Sequence, residues 1–382
     1  MKDKITKIIM SFVVLGIIGV IIVFGMIAFE EITKQLNLET GTGPLQFEEN
    51  DNHQIASQDK TIENNIEVPG IIENPLDKLE QTPSGNTNVD YSRVNVNKHF
   101  YNQLEEYSKT IYKAFETNKE EMKTGTKQIE LGDSFSNLLS QANGQELIGK
   151  YYQSAIEAYT YDNPDVFYLS PNKMFLNIET TTKGSKVTYN VYINSGNEAN
   201  YLTDEFSSKE QVNNAIAKVE QIKKQIIQNT TGNTYEDIKM IHDYLVNNIN
   251  YDTSLSKPYI YNIYGALVEN ICVCEGYARS MKYLLDGINI PCTIVIGKAT
   301  NSEGKTENHA WNYVQIEENW YAIDSTWDDP VIIGNGKLSE ASKYKYFLKG
   351  ANEMNKDHIP SKSFTEGGKV FEYPTLSLEN YE

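Results

Sequence analysis

Hydrophobic positions along the chain fall into three regimes. From Ile8 to Phe29 runs an unbroken stretch of 22 residues without a charge, and at 1.5 Å per helical residue it reaches about 33 Å, the thickness of a bilayer core. This predicts a transmembrane helix over 8–29. From Glu30 to Asn95 no period survives: 13 acidic and 4 basic residues share the stretch with only two aromatics, Phe47 and Tyr91, and with Pro44, Pro69, Pro75 and Pro83. Chain of that composition buries too little apolar surface to offset its conformational entropy, so 30–95 is expected to be a disordered acidic linker. Helical and strand periods then alternate. Phe100, Leu104, Tyr107, Ile111 and Phe115 predict one helix, and Leu147, Tyr151, Ala155 and Ala158 a second. Between Asp165 and Ile193 the β-branched and aromatic content, broken at Lys183, Gly184 and Ser185, predicts a hairpin of strands near 172–180 and 187–194. Val212, Ile216, Val219, Ile222 and Ile226 return to helical spacing. Thr234 with Asp237 is a candidate capping box before Ile238, Ile241, Leu245 and Ile249. His242, on the apolar side of that helix, reads as a satisfied structural histidine.

Charge changes the picture in two places. The chain carries 34 basic and 52 acidic residues, a net −18, the wrong sign for neutralising phosphates, and no basic stripe is interleaved with aromatics, so nucleic acid is excluded as a partner. Anionic wall polymers would be repelled as well. Lys2, Lys4 and Lys7 precede the apolar run against Asp3, and Glu30 and Glu31 follow it. The positive-inside rule therefore puts residues 1–7 in the cytoplasm and everything after 29 outside, with the bilayer as a partner through the N-terminal helix. A cleaved signal peptide would have a shorter apolar core and a small-x-small site. All 26 Tyr and all 3 Trp lie after Asp90, so order is expected from about there. The 3 Cys and 5 His include no HExxH and no paired CxxC, which argues against a metal or other cofactor.

Candidate chemistry begins in YGALVENICVCEGYARSMKYLLDGINIPCTIVIG, which starts at Tyr264. Tyr277, Ala278, Met281, Leu284 and Leu285 have helical spacing and Gly287 is a stop signal, so Cys274 opens a helix. A helix N-terminus favours a thiolate through its unpaired N–H groups and its macrodipole, and those N–H groups can also hold an oxyanion. Gly276 fits a point where the backbone is closely approached. A lone cysteine is more often a small buried hydrophobe, so a base and an orienting group are needed. HAWNYVQIEENWYAIDSTWDDP, from His309, supplies both. It parses as two strands around a turn, after an alternating strand over Pro291 to Gly297. Glu317 and Glu318 as a two-residue turn place Asp324 opposite Trp311. His309 is then its diagonal neighbour, roughly 7–8 Å away between Cα atoms, which an imidazole and a carboxylate can span.

VCEGYA at 273–278, HAWN at 309–312 and DSTWDDP at 324–330 resemble the transglutaminase-like superfamily. The resemblance covers about 235–330. It implies an α+β fold, a papain-like core with the nucleophile helix packed on an antiparallel sheet. It further implies that Cys274 is the nucleophile, His309 the base and Asp324 the orienting carboxylate. Residues 96–230 look like the companion region of bacterial members, a weaker match, and 231–382 are then the catalytic domain with a C-terminal extension. Where the family has a small non-thiol residue this chain has Cys272. A buried small residue, a disulfide with Cys292 and a second thiol are the readings open there. Tyr264 is a candidate second oxyanion donor, and Trp311 and Trp327, with Trp320, are candidate groove walls. His358 lies in the C-terminal extension and is assigned no role. The expected activity is acyl transfer through a thioester on a protein or cell-wall peptide, ending in crosslinking, deamidation or hydrolysis. The alternative is an inactive scaffold of the same fold held at the cell surface. Net −11 after Asn95 favours basic substrates.

Overall fold

The computed structural model describes the strand Ile66–Pro69 and residues 98–329, 340–361 and 369–382. The expected span over 8–29 lies outside the described residues, among which no helix is long and apolar enough to cross a membrane. The elements in order are β1 (Ile66–Pro69), α1 (Glu106–Met122), β2 (Ile129–Gly132), α2 (Ser136–Leu139), α3 (Gly144–Asp162), β3 (Phe175–Lys183), β4 (Lys186–Asn194), α4 (Lys209–Ile227), α5 (Thr234–Asn248), β5 (Asn250–Tyr251), α6 (Ile263–Leu267), β6 (Ile271–Cys272), α7 (Cys274–Asp286), β7 (Cys292–Thr300), β8 (Thr306–Ile316), β9 (Asn319–Ile323), α8 (Ala351–Met354) and β10 (His358–Pro360).

The first sheet has the order β1-β3-β4-β2, and its centre is the predicted hairpin, turning at Gly184 and Ser185. Within the stretch 30–95, of which the other residues lie outside the described ones, β1 forms an edge strand, Ile66 opposite Ile178 and Pro69 opposite Phe175. Two β-branched residues flanking Glu67 suit a strand, and the terminal proline is tolerated because an edge leaves its missing donor unneeded. The capping box over Thr234 and Asp237 is corrected. Asn233 caps α5 by accepting from the Glu236 N–H, while the Asp237 carboxylate accepts from Thr231 and Gly232 before the helix begins.

The second sheet, β10-β7-β8-β9, is antiparallel throughout. Helix α7 packs on β7 and β8, and Asn312 fastens it by donating to the Ala278 carbonyl at 2.9 Å. Tyr277, Met281, Leu284 and Leu285 are buried in the main core, at about 1.5–3 kcal/mol for each aliphatic side chain removed from water. That core is continuous from Phe100 and Phe115 through Leu284 to Phe371. A smaller cluster of Val295, Trp311, Tyr313, Trp320, Ala322, Tyr346, Met354 and Leu376 backs the β7-β8-β9 sheet.

Candidate active site

The loop before α7 is fixed from both sides. β5 and β6 pair in parallel, Tyr251 beside Cys272; Asp252 N–H donates to the Cys272 carbonyl at 2.9 Å, and Val273 N–H to the Ile260 carbonyl at 2.9 Å. Cys274 then starts the helix, and no side chain caps it; the Gly276 N–H donates to the Val273 carbonyl at 2.9 Å, which leaves the N–H groups of Cys274 and Glu275 without a side-chain acceptor. Gly276 sits where the sequence expects a close approach. A Cβ there would lie 2.4 Å from Cys272 Cβ and 2.8 Å from the Ile260 carbonyl oxygen. Gly276→Ala is therefore expected to cost about 1–3 kcal/mol, as other overpacked core sites do, read from the denaturant midpoint. An unchanged midpoint would refute the close approach.

The hairpin register is the one a two-residue turn dictates: Ile316 pairs Asn319, and Asn312 pairs Ile323, with Glu317 in the left-handed region at φ 55°. Asp324 follows directly. Its Oδ2 lies 2.7 Å from His309 Nε2, and its Oδ1 accepts from Thr326 N–H at 3.0 Å and Trp327 N–H at 3.2 Å. Cys274 is near enough to His309 to raise its proton affinity. The structure thus joins His309 to Asp324 and places Cys274 near enough to affect the protonation of His309. Burial alone would lower the His309 pKa, but the Asp324 charge and the contacts with Asp324 and Cys274 push it up to about 10. For Asp324 burial works the other way; His309 and then His358 overcome it and hold the carboxyl well below its usual range.

The aromatic candidates separate. Trp311 is buried in the small cluster, its ring stacked 6.1 Å from that of His309. Trp320 is buried there as well. Trp327 is half-buried and lies 5.2 Å from the His309 ring. Tyr264 packs on Phe167, Phe206 and Tyr259. The tyrosines whose acidity Cys274 perturbs are Tyr251 and Tyr261, after the larger effect of burial. All three cysteines are free, so the Cys272–Cys292 disulfide is not formed. Burial pushes both of those thiols up, and Cys272 fills the space over Gly276.

Two histidines complete the region. His242 meets Asp328 at 3.1 Å and Asp243 at 3.3 Å. His358, which the sequence left without a role, lies 3.1 Å from Asp324 Oδ2 through Nε2. His309, Asp324 and His358 each offer an atom within 4.8 Å of the others. At 2.7 and 3.1 Å both rings stand at N–H···O distance from the same oxygen.

Residues 220–325 match the family model of the Transglutaminase-like superfamily. The chain carries a transglutaminase-like domain. Among curated proteins no sequence matches it. Solved structures similar to it include a TGase, 15% identical over 43% of this chain and 46% of that one with TM-score 0.28. A candidate cysteine protease from Cytophaga hutchinsonii is 14% identical over 40% and 64%, with TM-score 0.24. The periplasmic domain of TgpA from Pseudomonas aeruginosa, bound to ethylmercury, is 12% identical over 42% and 74%, with TM-score 0.21. The chain thus spans less than half of the TGase chain. The match of the transglutaminase-like domain takes in Cys274, His309 and Asp324 and stops short of His358.

Proposed function

We propose that the protein is a cysteine-dependent acyl-transfer enzyme, tethered to the membrane by residues 8–29 and acting outside the cytoplasm on protein or cell-wall peptide. The observation that carries this reading is His309 hydrogen-bonded to Asp324 at 2.7 Å, with Cys274 near enough to raise its proton affinity. His309 takes the thiol proton, and the Cys274 sulfur attacks an amide carbonyl carbon. The oxyanion forms at the uncapped start of α7. The C–N bond breaks as the imidazolium returns its proton to the leaving ammonia or amine, giving a thioester. Water then gives deamidation or hydrolysis, and a lysine amine gives a crosslink. Cys274 is 3% and His309 7% exposed, which favours a slender acyl donor presented end-on, as a glutamine side chain is.

The test is iodoacetamide labelling of Cys274 against pH, with the labelled cysteine mapped by mass spectrometry and His309→Ala as control. Labelling of Cys274 is expected to be fast at neutral pH and to be lost in His309→Ala. Slow labelling with an ordinary thiol profile, unchanged in His309→Ala, would sink the enzyme reading and leave a surface scaffold.

A further inference from the structure

We propose that His358 is a fourth, positioning member of this site, a second donor that keeps the buried Asp324 carboxylate ionised and aimed while His309 gains and loses its proton. The inference rests on the acyl-transfer reading. Asp324 is fully buried, at 0% exposure, and in such surroundings a carboxylate needs compensating charge at every stage of a cycle. His309 supplies that charge only as an imidazolium. Once its proton has gone to the leaving group, the compensation from that side is gone.

His358 is placed to supply the remainder. Its Nε2 lies 3.1 Å from Asp324 Oδ2 and its Nδ1 2.6 Å from Asp357 Oδ1. Carboxylates only accept, so the ring makes both bonds together only when both nitrogens carry a proton. Asp357 is itself held, its Oδ2 accepting from the Tyr346 hydroxyl at 2.7 Å. The ring is walled by aromatic faces and edges: Trp327 at 4.6 Å, Trp311 at 5.0 Å and Tyr346 at 5.2 Å, with the His309 ring at 5.5 Å. Its backbone is fixed in β10, where His358 pairs Ala299 of β7. The titratable groups facing it are therefore Asp324, Asp357, His309 and Tyr346. The result is a chain of alternating charge, Cys274, His309, Asp324, His358, Asp357. Its last two members lie beyond the matched family residues.

Removing the cation at 358 raises the proton affinity of the Asp324–His309 pair. His309 then holds its proton more tightly and returns it to a leaving amine more slowly. His358→Phe keeps a ring among the aromatics but removes both donors; His358→Gln keeps one donor and removes the charge. In the full chain in detergent, labelled with ¹⁵N-histidine, the His309 ring nitrogens are titrated by NMR while Cys274 labelling by iodoacetamide is followed. His358→Phe is expected to raise the His309 midpoint by about one unit, the usual scale of such environmental shifts, and His358→Gln by a smaller amount. An unchanged midpoint in a folded His358→Phe protein would reduce His358 to packing. If that variant fails to fold, the Gln variant decides, and an unchanged midpoint there overturns the proposal equally. Failure of the acyl-transfer reading looks different: wild-type Cys274 then labels as an ordinary thiol, whatever residue 358 does to His309.

Discussion

Asp324→Asn is expected to cut ammonia release from a glutaminyl peptide by about 10⁴-fold, the scale seen when a triad carboxylate becomes an amide, with little change in fold. The carbonyl of the new amide can replace Oδ1 and keep accepting from Thr326 and Trp327. The amide nitrogen then occupies the Oδ2 position, where two imidazole nitrogens already point at distances of 2.7 and 3.1 Å. Donor would face donor. His309 escapes by presenting a lone pair at Nε2, which moves its proton to the nitrogen facing Cys274, and a ring in that tautomer cannot accept the thiol proton. Asp328→Asn is the matched control. Asp328 accepts from Tyr346 N–H at 2.8 Å and meets His242 at 3.1 Å, an arrangement an amide can satisfy against a neutral imidazole. Burial already pushes its carboxyl up to about 6, so losing the charge costs little. Its activity is expected within about threefold of wild type, well below the 1.4 kcal/mol that a tenfold change represents. Equal losses in the two variants, or an Asp324→Asn enzyme within tenfold of wild type, would remove Asp324 from the orienting role.

The sequence carried the local parts of this site because short-range rules govern them. A two-residue turn and a period of two fix which residues of 309–324 share a face, and the pairing of Asn312 with Ile323 follows. The start of α7 at Cys274 was legible from spacing, and its close approach from Gly276. What stayed hidden depends on pairings distant in sequence. His358 reaches Asp324 across 34 residues, on a strand of only three residues, too short to show alternation. The parallel pairing of β5 with β6 brings Tyr251 beside Cys272, and a pairing of two residues leaves no periodic trace.

Gly297→Ala is expected to unlock that hidden part of the site and the fold together. Gly297 is paired on both sides, with His309 in β8 and with Pro360 in β10, so its α-carbon sits between the base and the strand that carries His358. A Cβ added there would lie 2.2 Å from the Ile359 carbonyl oxygen, 2.6 Å from Trp311 Cη2 and 2.9 Å from Pro360 Cα. Two of these neighbours are backbone, and the third is the end of a fully packed indole 1% exposed. None yields as a flexible side-chain tip would. The strain relaxes most readily at β10, three residues long and paired only with β7. Its displacement carries His358 off Asp324. The expected cost is about 3 kcal/mol, the upper end for overpacking, read as a lowered denaturant midpoint. Residual folded protein should show the raised His309 midpoint expected of His358→Phe, because both changes remove the same donor from the same oxygen. A destabilised variant in which His309 titrates as in wild type would mean that β10 stays in place and the strain is absorbed at Trp311. That outcome would separate the packing of this sheet from the electrostatics of Asp324.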